Sequence, residues 1–104
     1  MASFILSPAA EQDLLDIWEY TYETWGIEQA DYYLDQLEVA CQNIAAGTAF
    51  YKSWQEIHPD LISVHCQHHY LFALYNQTDK PLIIAVMHER MDFLARLKDR
   101  LVNH

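Results

Sequence analysis

Tyr70-Leu71-Phe72-Ala73-Leu74-Tyr75 and Leu82-Ile83-Ile84-Ala85-Val86-Met87, separated by the turn cluster Asn76-Gln77-Thr78-Asp79-Lys80-Pro81, decide how this chain folds. Aromatic and β-branched runs on either side of turn-forming residues predict two antiparallel strands. Both runs are apolar or aromatic at odd and even positions alike, the pattern of strands covered on both faces. Leu61 to Cys66 is a third such run just upstream, so the carboxy-terminal half reads as an antiparallel meander.

Toward the amino terminus, Ser3 to Leu6 is a short apolar stretch that stops at Ser7-Pro8. Serine is a strong helix N-cap, and proline at the first helical position gives up only an N–H that has no helical partner there. A short strand therefore runs directly into a helix. Ala10, Leu14, Ile17, Trp18, Thr21 and Trp25 recur at three- and four-residue spacing as the buried stripe, with Asp13, Asp16, Glu19 and Glu23 on the opposite side. Gly26 stops this helix. A second pattern, Ala30, Tyr33, Leu34, Leu37, Cys41 and Ile44, follows at once and ends at Gly47. So short a joint predicts an antiparallel helix hairpin. Residues 48–60 lose periodicity and read as a loop.

The hairpin can cover one face of the sheet only. The other needs the segment from Met91 onward, a second copy of the chain, or a bound partner. With 104 residues, 52% of them hydrophobic, and only two glycines and three prolines, residues 1–104 make one domain, without flexible linkers. The expected fold is α+β: a short amino-terminal strand, then an antiparallel helix hairpin packed on a small antiparallel sheet (β-α-α-β-β-β), with a helical carboxy-terminal tail as an option. No apolar run is long enough to span a membrane, and the start lacks a basic segment followed by an apolar one, so a soluble cytoplasmic protein is expected.

The charge is confined to one half of the chain. Fifteen acids against six bases give a net charge of −9. Lys52, Lys80, Arg90, Arg96, Lys98 and Arg100 all follow residue 51 and are balanced there by six acids. The first half carries Glu11, Asp13, Asp16, Glu19, Glu23, Glu28, Asp31, Asp35 and Glu38 with no Lys or Arg. Such a surface repels phosphate backbones, so direct nucleic-acid binding is disfavoured and a protein partner favoured. Arg90 to Arg100 is the exception, a small basic patch.

Chemical motifs are weak. His65-Cys66-Gln67-His68-His69, with Cys41 and His88 more distant, invites a zinc reading, but adjacent residues of a strand point to opposite faces and there is no Cys-x-x-Cys pair. A histidine-rich turn with Cys66 packed inward is the simpler reading, and both thiols are expected to be reduced and buried. There is no nucleophile elbow, and two glycines that each end a helix cannot form a phosphate-cradling loop. The acids fall on solvent-facing helix positions and need no catalytic role. Tyr20, Tyr32 and Val39 lie on outward sides of the hairpin, where they suggest a contact patch.

Several stretches carry a family resemblance: Leu6-Ser7-Pro8-Ala9-Ala10-Glu11-Gln12-Asp13-Leu14, Ile17-Trp18-Glu19-Tyr20-Thr21, Trp25-Gly26-Ile27-Glu28-Gln29-Ala30 and Tyr33-Leu34-Asp35-Gln36-Leu37. With the closing Val86-Met87-His88-Glu89-Arg90-Met91-Asp92, similar to a His-x-Arg-Met-Asp motif, the chain resembles the ParE toxins of the RelE/ParE superfamily over nearly its whole length. The resemblance implies the toxin of a bacterial type II toxin–antitoxin pair, forming a hetero-oligomer with a small antitoxin whose flexible segment wraps around it. It implies DNA gyrase as target, trapped on cleaved DNA, with no reaction catalysed by the toxin; no cofactor or metal is expected. Carried over from the closing motif and tail, the target-binding residues are Arg90, Met91, Phe93, Arg96 and Arg100. For antitoxin contact, Trp18, Tyr22, Tyr32, Tyr33, Phe72 and Leu74 are the expected residues.

The RelE-like branch of the superfamily instead cuts messenger RNA on the ribosome. Tyr70, His88, Arg90 and Arg96 are the residues from which such a site would be built, but the basic surface around them is small for docking on phosphate. An inert member that keeps antitoxin binding and has lost its target is a third reading. ParE-like toxins are often basic and this chain is acidic, so its antitoxin is expected to rely on apolar side chains and to carry extra Lys or Arg where it meets the hairpin.

Overall fold

The computed structural model describes residues 3–76 and 79–103; Gln77 and Thr78 of the expected turn, and Met1 and Ala2, lie outside the described residues. The element order is β1 (Ile5–Leu6), α1 (Pro8–Trp25), α2 (Ile27–Ala46), β2 (Lys52–Ser53), β3 (Leu61–Cys66), β4 (His69–Leu74), β5 (Leu82–His88) and α3 (Phe93–Val102). Each helix start and stop has a local cause. The buried Ser7 hydroxyl accepts the Ala10 N–H at 3.1 Å, closing the first turn of α1 behind Pro8. Gly26 stands at φ +94°, where a side chain would be strained, and serves both helices: its N–H bonds the Tyr22 carbonyl and its carbonyl takes the Ala30 N–H. A joint of one residue leaves α1 and α2 no course but to fold back on each other. Gly47, at φ +76°, closes α2 through the Ile44 carbonyl.

The sheet corrects the expected topology. It has five strands in the order β1-β5-β4-β3-β2 and is mixed, because β1 runs parallel to β5. Ile5 and Ser7 donate to the carbonyls of Pro81 and Ile83 at 2.9 and 3.0 Å, fastening the amino terminus to the last strand. The expected loop at 48–60 contains β2, which pairs Lys52 with Ser63 and Ser53 with Ile62. Two residues cannot display a period of two, so this strand left no trace in the sequence. The central meander lies where its sequence placed it, within a residue or two.

Two cores flank the sheet. On one face the hairpin presses Tyr33, Leu37, Cys41 and Ile44 onto Ile62, Val64, Leu71, Ala73, Ile83 and Val86. On the other, Leu97 of α3 seals Leu61, Phe72, Ile84, Ala85 and Met87, with Trp54, Met91, Phe93 and Leu101 around it. Of the three covers considered for the second face, the chain's own carboxy-terminal segment is the one in place. A bulge in the β4–β5 ladder between Phe72 and Ala73 accounts for one irregularity: neighbouring Ile84 and Ala85 both reach the second core, where strict alternation would split them. Among the described residues no helix is long and apolar enough to cross a membrane.

Candidate interaction surfaces

Three places on this frame bear on function. The first is a clasp on β5. Beyond Leu6 no strand among the described residues lies beside the outer edge of β5, and side chains stand in for one. Asp13 of α1 accepts the Val86 N–H at 2.9 Å, and Arg100 of α3 donates to the Ile84 carbonyl at 2.8 Å. The two side chains close on each other through paired 2.8 Å bonds. They are 16% and 19% exposed, and the carboxylate holds the guanidinium pKa above its ordinary value. Asp13 is therefore not on the solvent side, as the helical spacing suggested. Trp25 is the converse, placed by spacing on the buried stripe yet 73% exposed at the hairpin tip.

The second place is the turn between β5 and α3, where the closing motif lies. Glu89 takes His65 at 3.0 Å with one carboxylate oxygen and His68 at 3.1 Å with the other, and these two bonds pull its pKa down. The Arg90 N–H donates to His88 Nδ1. Gln67 opposite is held at φ +56°, a strained conformation for a non-glycine residue, fixed because the His68 N–H is taken by the Tyr33 hydroxyl and the His68 carbonyl by the Glu89 N–H. Arg90 and Arg96 are exposed and have no ion-pair partner among the described residues, and Met91 and Phe93 are half-buried beside them. The expected target residues thus divide: Arg90 and Arg96 are free for contact, Met91 and Phe93 brace the turn on the second core, and Arg100 is occupied in the clasp.

The third place is the hairpin. A recess of about 590 Å³ has an apolar floor including Phe4, Leu6, Leu14, Trp18 and Leu34, with Glu11 and Glu38 among its lining residues. Cys41 also lines it, but burial lifts the thiol pKa to about 12 and leaves it unreactive. Trp18 stacks on Tyr22 with ring centroids 5.2 Å apart, and its indole N–H bonds Asp31 across the hairpin. Tyr32 and Val39 are exposed on α2 and Tyr20 on α1, which agrees with the outward positions read from the spacing. The other expected antitoxin contacts lie elsewhere. Tyr33 is buried against the sheet and bonded to His69, Phe72 is wholly buried in the second core, and Leu74 is half-buried there. Alternation sends Phe72 and Leu74 to the face under α3, so an expectation of surface contact gives way to a packing role.

Two of the four residues considered for a ribonuclease site, Tyr70 and His88, are held apart. Tyr70 faces the second core, packed near Phe72 and Phe93, whereas His88 lies on the hairpin face, 5.2 Å from the His69 ring. The sheet separates them. Among the described residues no group of three or more His, Cys, Asp or Glu side chains is arranged to hold a metal ion. Cys66 turns toward the core and its thiol donates to the Gln36 carbonyl.

A helix hairpin and a carboxy-terminal helix on opposite faces of one sheet accord with the class that the comparisons identify: the toxin component of a type II toxin–antitoxin system. Within that class the chain belongs to the ParE toxin family, whose model, described as "ParE toxin of type II toxin-antitoxin system, parDE", matches residues 4–93. It is 41% identical to a "Toxin ParE" of Escherichia coli over 97% of this chain and 98% of that protein. It is 35% identical to a "Toxin ParE1" of Mycobacterium tuberculosis (86% and 91% covered), and 30% identical to a "Toxin ParE1" of Caulobacter vibrioides (93% and 99%). The family match stops at the first residue of α3, so Arg96 and Arg100 lie beyond it.

Proposed function

We propose that this toxin acts by binding DNA gyrase and stalling it on cleaved DNA, without catalysing a reaction of its own. The observation that carries the reading is the pair of uncommitted cations, Arg90 and Arg96, displayed where the braced β5–α3 turn enters α3. A braced turn that presents two guanidiniums with no ion-pair partner among the described residues, beside half-buried apolar side chains, suits contact with a protein surface, where arginine is a frequent anchor. Arg100 acts through the clasp, positioning α3. The separation of Tyr70 from His88 by the sheet argues against the ribonuclease alternative.

Neutralisation is assigned to an antitoxin segment lying in the hairpin recess. Apolar side chains fill its floor and Lys or Arg residues meet Glu11 and Glu38. A supercoiling and cleavage assay with purified gyrase, run beside a ribosome-programmed messenger cleavage control, tests the target. Inhibited supercoiling with linear DNA trapped is the expected result. Messenger cleavage with gyrase untouched overturns it in favour of the ribonuclease reading. For the antitoxin, indifference of the complex to salt and to replacement of the antitoxin's basic residues overturns the electrostatic part.

A further inference from the structure

A second and larger recess, about 750 Å³, opens between the hairpin and the end of the sheet. Asp16, Tyr20 and Trp25 of α1 form its helical wall; His69 of β4 and His88 of β5, with Tyr33 reaching them from α2, form its floor. Tyr20 and Trp25 are 61% and 73% exposed, so aromatic area is left in water at the rim of a concavity. No Lys or Arg lines the recess. Among the described residues Asp13 is the one hairpin acid with an ion-pair partner of either kind, so the negative potential of the helical wall is uncompensated.

The sheet side adds hydrogen-bond donors. Tyr33 Oη accepts the His68 N–H at 3.0 Å, which leaves its proton for His69 Nδ1 at 2.6 Å. His69 therefore carries its own proton on Nε2 and stays neutral at physiological pH, since burial takes its pKa down to about 4. His88 Nδ1 is likewise an acceptor, from the Arg90 N–H, so its neutral form also bears the proton on Nε2. Each imidazole offers an N–H to an acceptor, and the same bonds occupy the Nδ1 lone pairs. An anionic ligand would meet the Asp16 carboxylate, with no Lys or Arg among the described lining residues to offset it. A cation would meet a carboxylate and exposed ring faces.

We infer that this recess receives an arginine side chain from the antitoxin, its guanidinium held by Asp16 and the faces of Tyr20 and Trp25 while a backbone carbonyl of the same segment accepts from the imidazole N–H groups of the floor. The inference rests on the antitoxin reading above, and adds a cation-selective anchor point separate from the apolar recess. Guanidinium is the fitting cation because it combines planar stacking with directed donation to a carboxylate. The Asp16 oxygen bonded to Gln12 leaves its second oxygen for the ligand. A volume of this size admits a short extended segment as well as one side chain.

Two measurements test it. The whole chain is titrated with N-acetyl-arginine amide, with N-acetyl-norleucine amide and N-acetyl-glutamate amide as controls, following the Trp25 indole N–H and the His69 and His88 ring C–H resonances. Saturable shifts with the arginine derivative alone are expected, weakened about tenfold in D16N. Norleucine binding as well as arginine, or no shift with any probe, overturns the inference. In the second, affinity for the antitoxin is compared between the wild-type chain and the D16N and W25A variants, both altered at exposed positions that should leave folding intact. Loss of affinity in both supports the anchor. Unchanged affinity in a complex that forms normally overturns the anchor and leaves the antitoxin reading standing, whereas a wild-type chain that fails to bind the antitoxin overturns that reading and the anchor with it.

Discussion

Replacing Arg100 with alanine is expected to cost this domain about 3 kcal/mol of folding stability. Breaking one partner out of a buried ion pair typically costs about 3–5 kcal/mol, because the other charge is left behind without compensation. Here the side chains retain 16% and 19% exposure and Asp13 keeps the Val86 N–H, which favours the low end. The same substitution orphans the Ile84 carbonyl, whose loss of a charged donor is itself worth about 1–3 kcal/mol. Against a total of roughly 5–15 kcal/mol for a domain of this size, this is a severe change. At about 4–8 °C per kcal/mol it corresponds to a melting temperature lower by about 12–24 °C. Urea unfolding at pH 7 of the wild type, R100A, D13A and the double variant closes a thermodynamic cycle, with a coupling of about 1–3 kcal/mol expected. A cost below about 1 kcal/mol for R100A, or additive single effects, refutes the clasp. If Arg100 acts by positioning α3, R100A should still arrest growth below its own unfolding transition.

Gln67→Gly should raise stability by about 0.5 kcal/mol, since relief at φ +56° exceeds the added freedom of the unfolded chain; a lower urea midpoint would show the turn to be unstrained. His69 is protonated more readily in the unfolded chain than in the fold, where its pKa falls from 6.5 to about 4. Its contribution is thus intact above pH 6.5 and is lost as pH drops toward 4. Allowing for its partial exposure the loss is about 1–2 kcal/mol, and a flat urea midpoint from pH 6.5 to 4 in wild type, or an equal slope in H69N, contradicts this. The double substitution R90A/R96A should abolish growth arrest while leaving the circular dichroism spectrum and antitoxin binding unchanged; persistent toxicity would move the target surface elsewhere.

Whatever repeats over several turns or strands was legible in the sequence: both helices, their caps at Ser7, Gly26 and Gly47, and the meander. Single contacts between distant segments were not. Nothing in the spacing of Asp13 separates it from Asp16, because its burial depends on Arg100, 87 residues away, reaching the same strand edge. Trp25 was misplaced because its position on the stripe falls at the hairpin tip, past the end of the sheet that would have covered it. The closing motif was readable as a motif, yet its division into free cations, bracing side chains and a clasp required the geometry. Only one signal hinted at Arg100: α3 repeats Phe93, Leu97 and Leu101, and Arg100 falls beside that apolar stripe.

The parallel pairing of β1 with β5 also sets a timetable for synthesis. Ile5 and Leu6 are made long before their partners Leu82 and Ile83, and Asp13 waits still longer for Arg100. A growing chain that has emerged through α2 holds the hairpin with its apolar stripe bare and no sheet to receive it. Contacts of such long range form late, and until then the exposed stripe is open to misassociation. Phe4 and Leu6 complete the wall of the apolar recess only once β1 is seated, so the recess exists on the finished molecule and not on the nascent one.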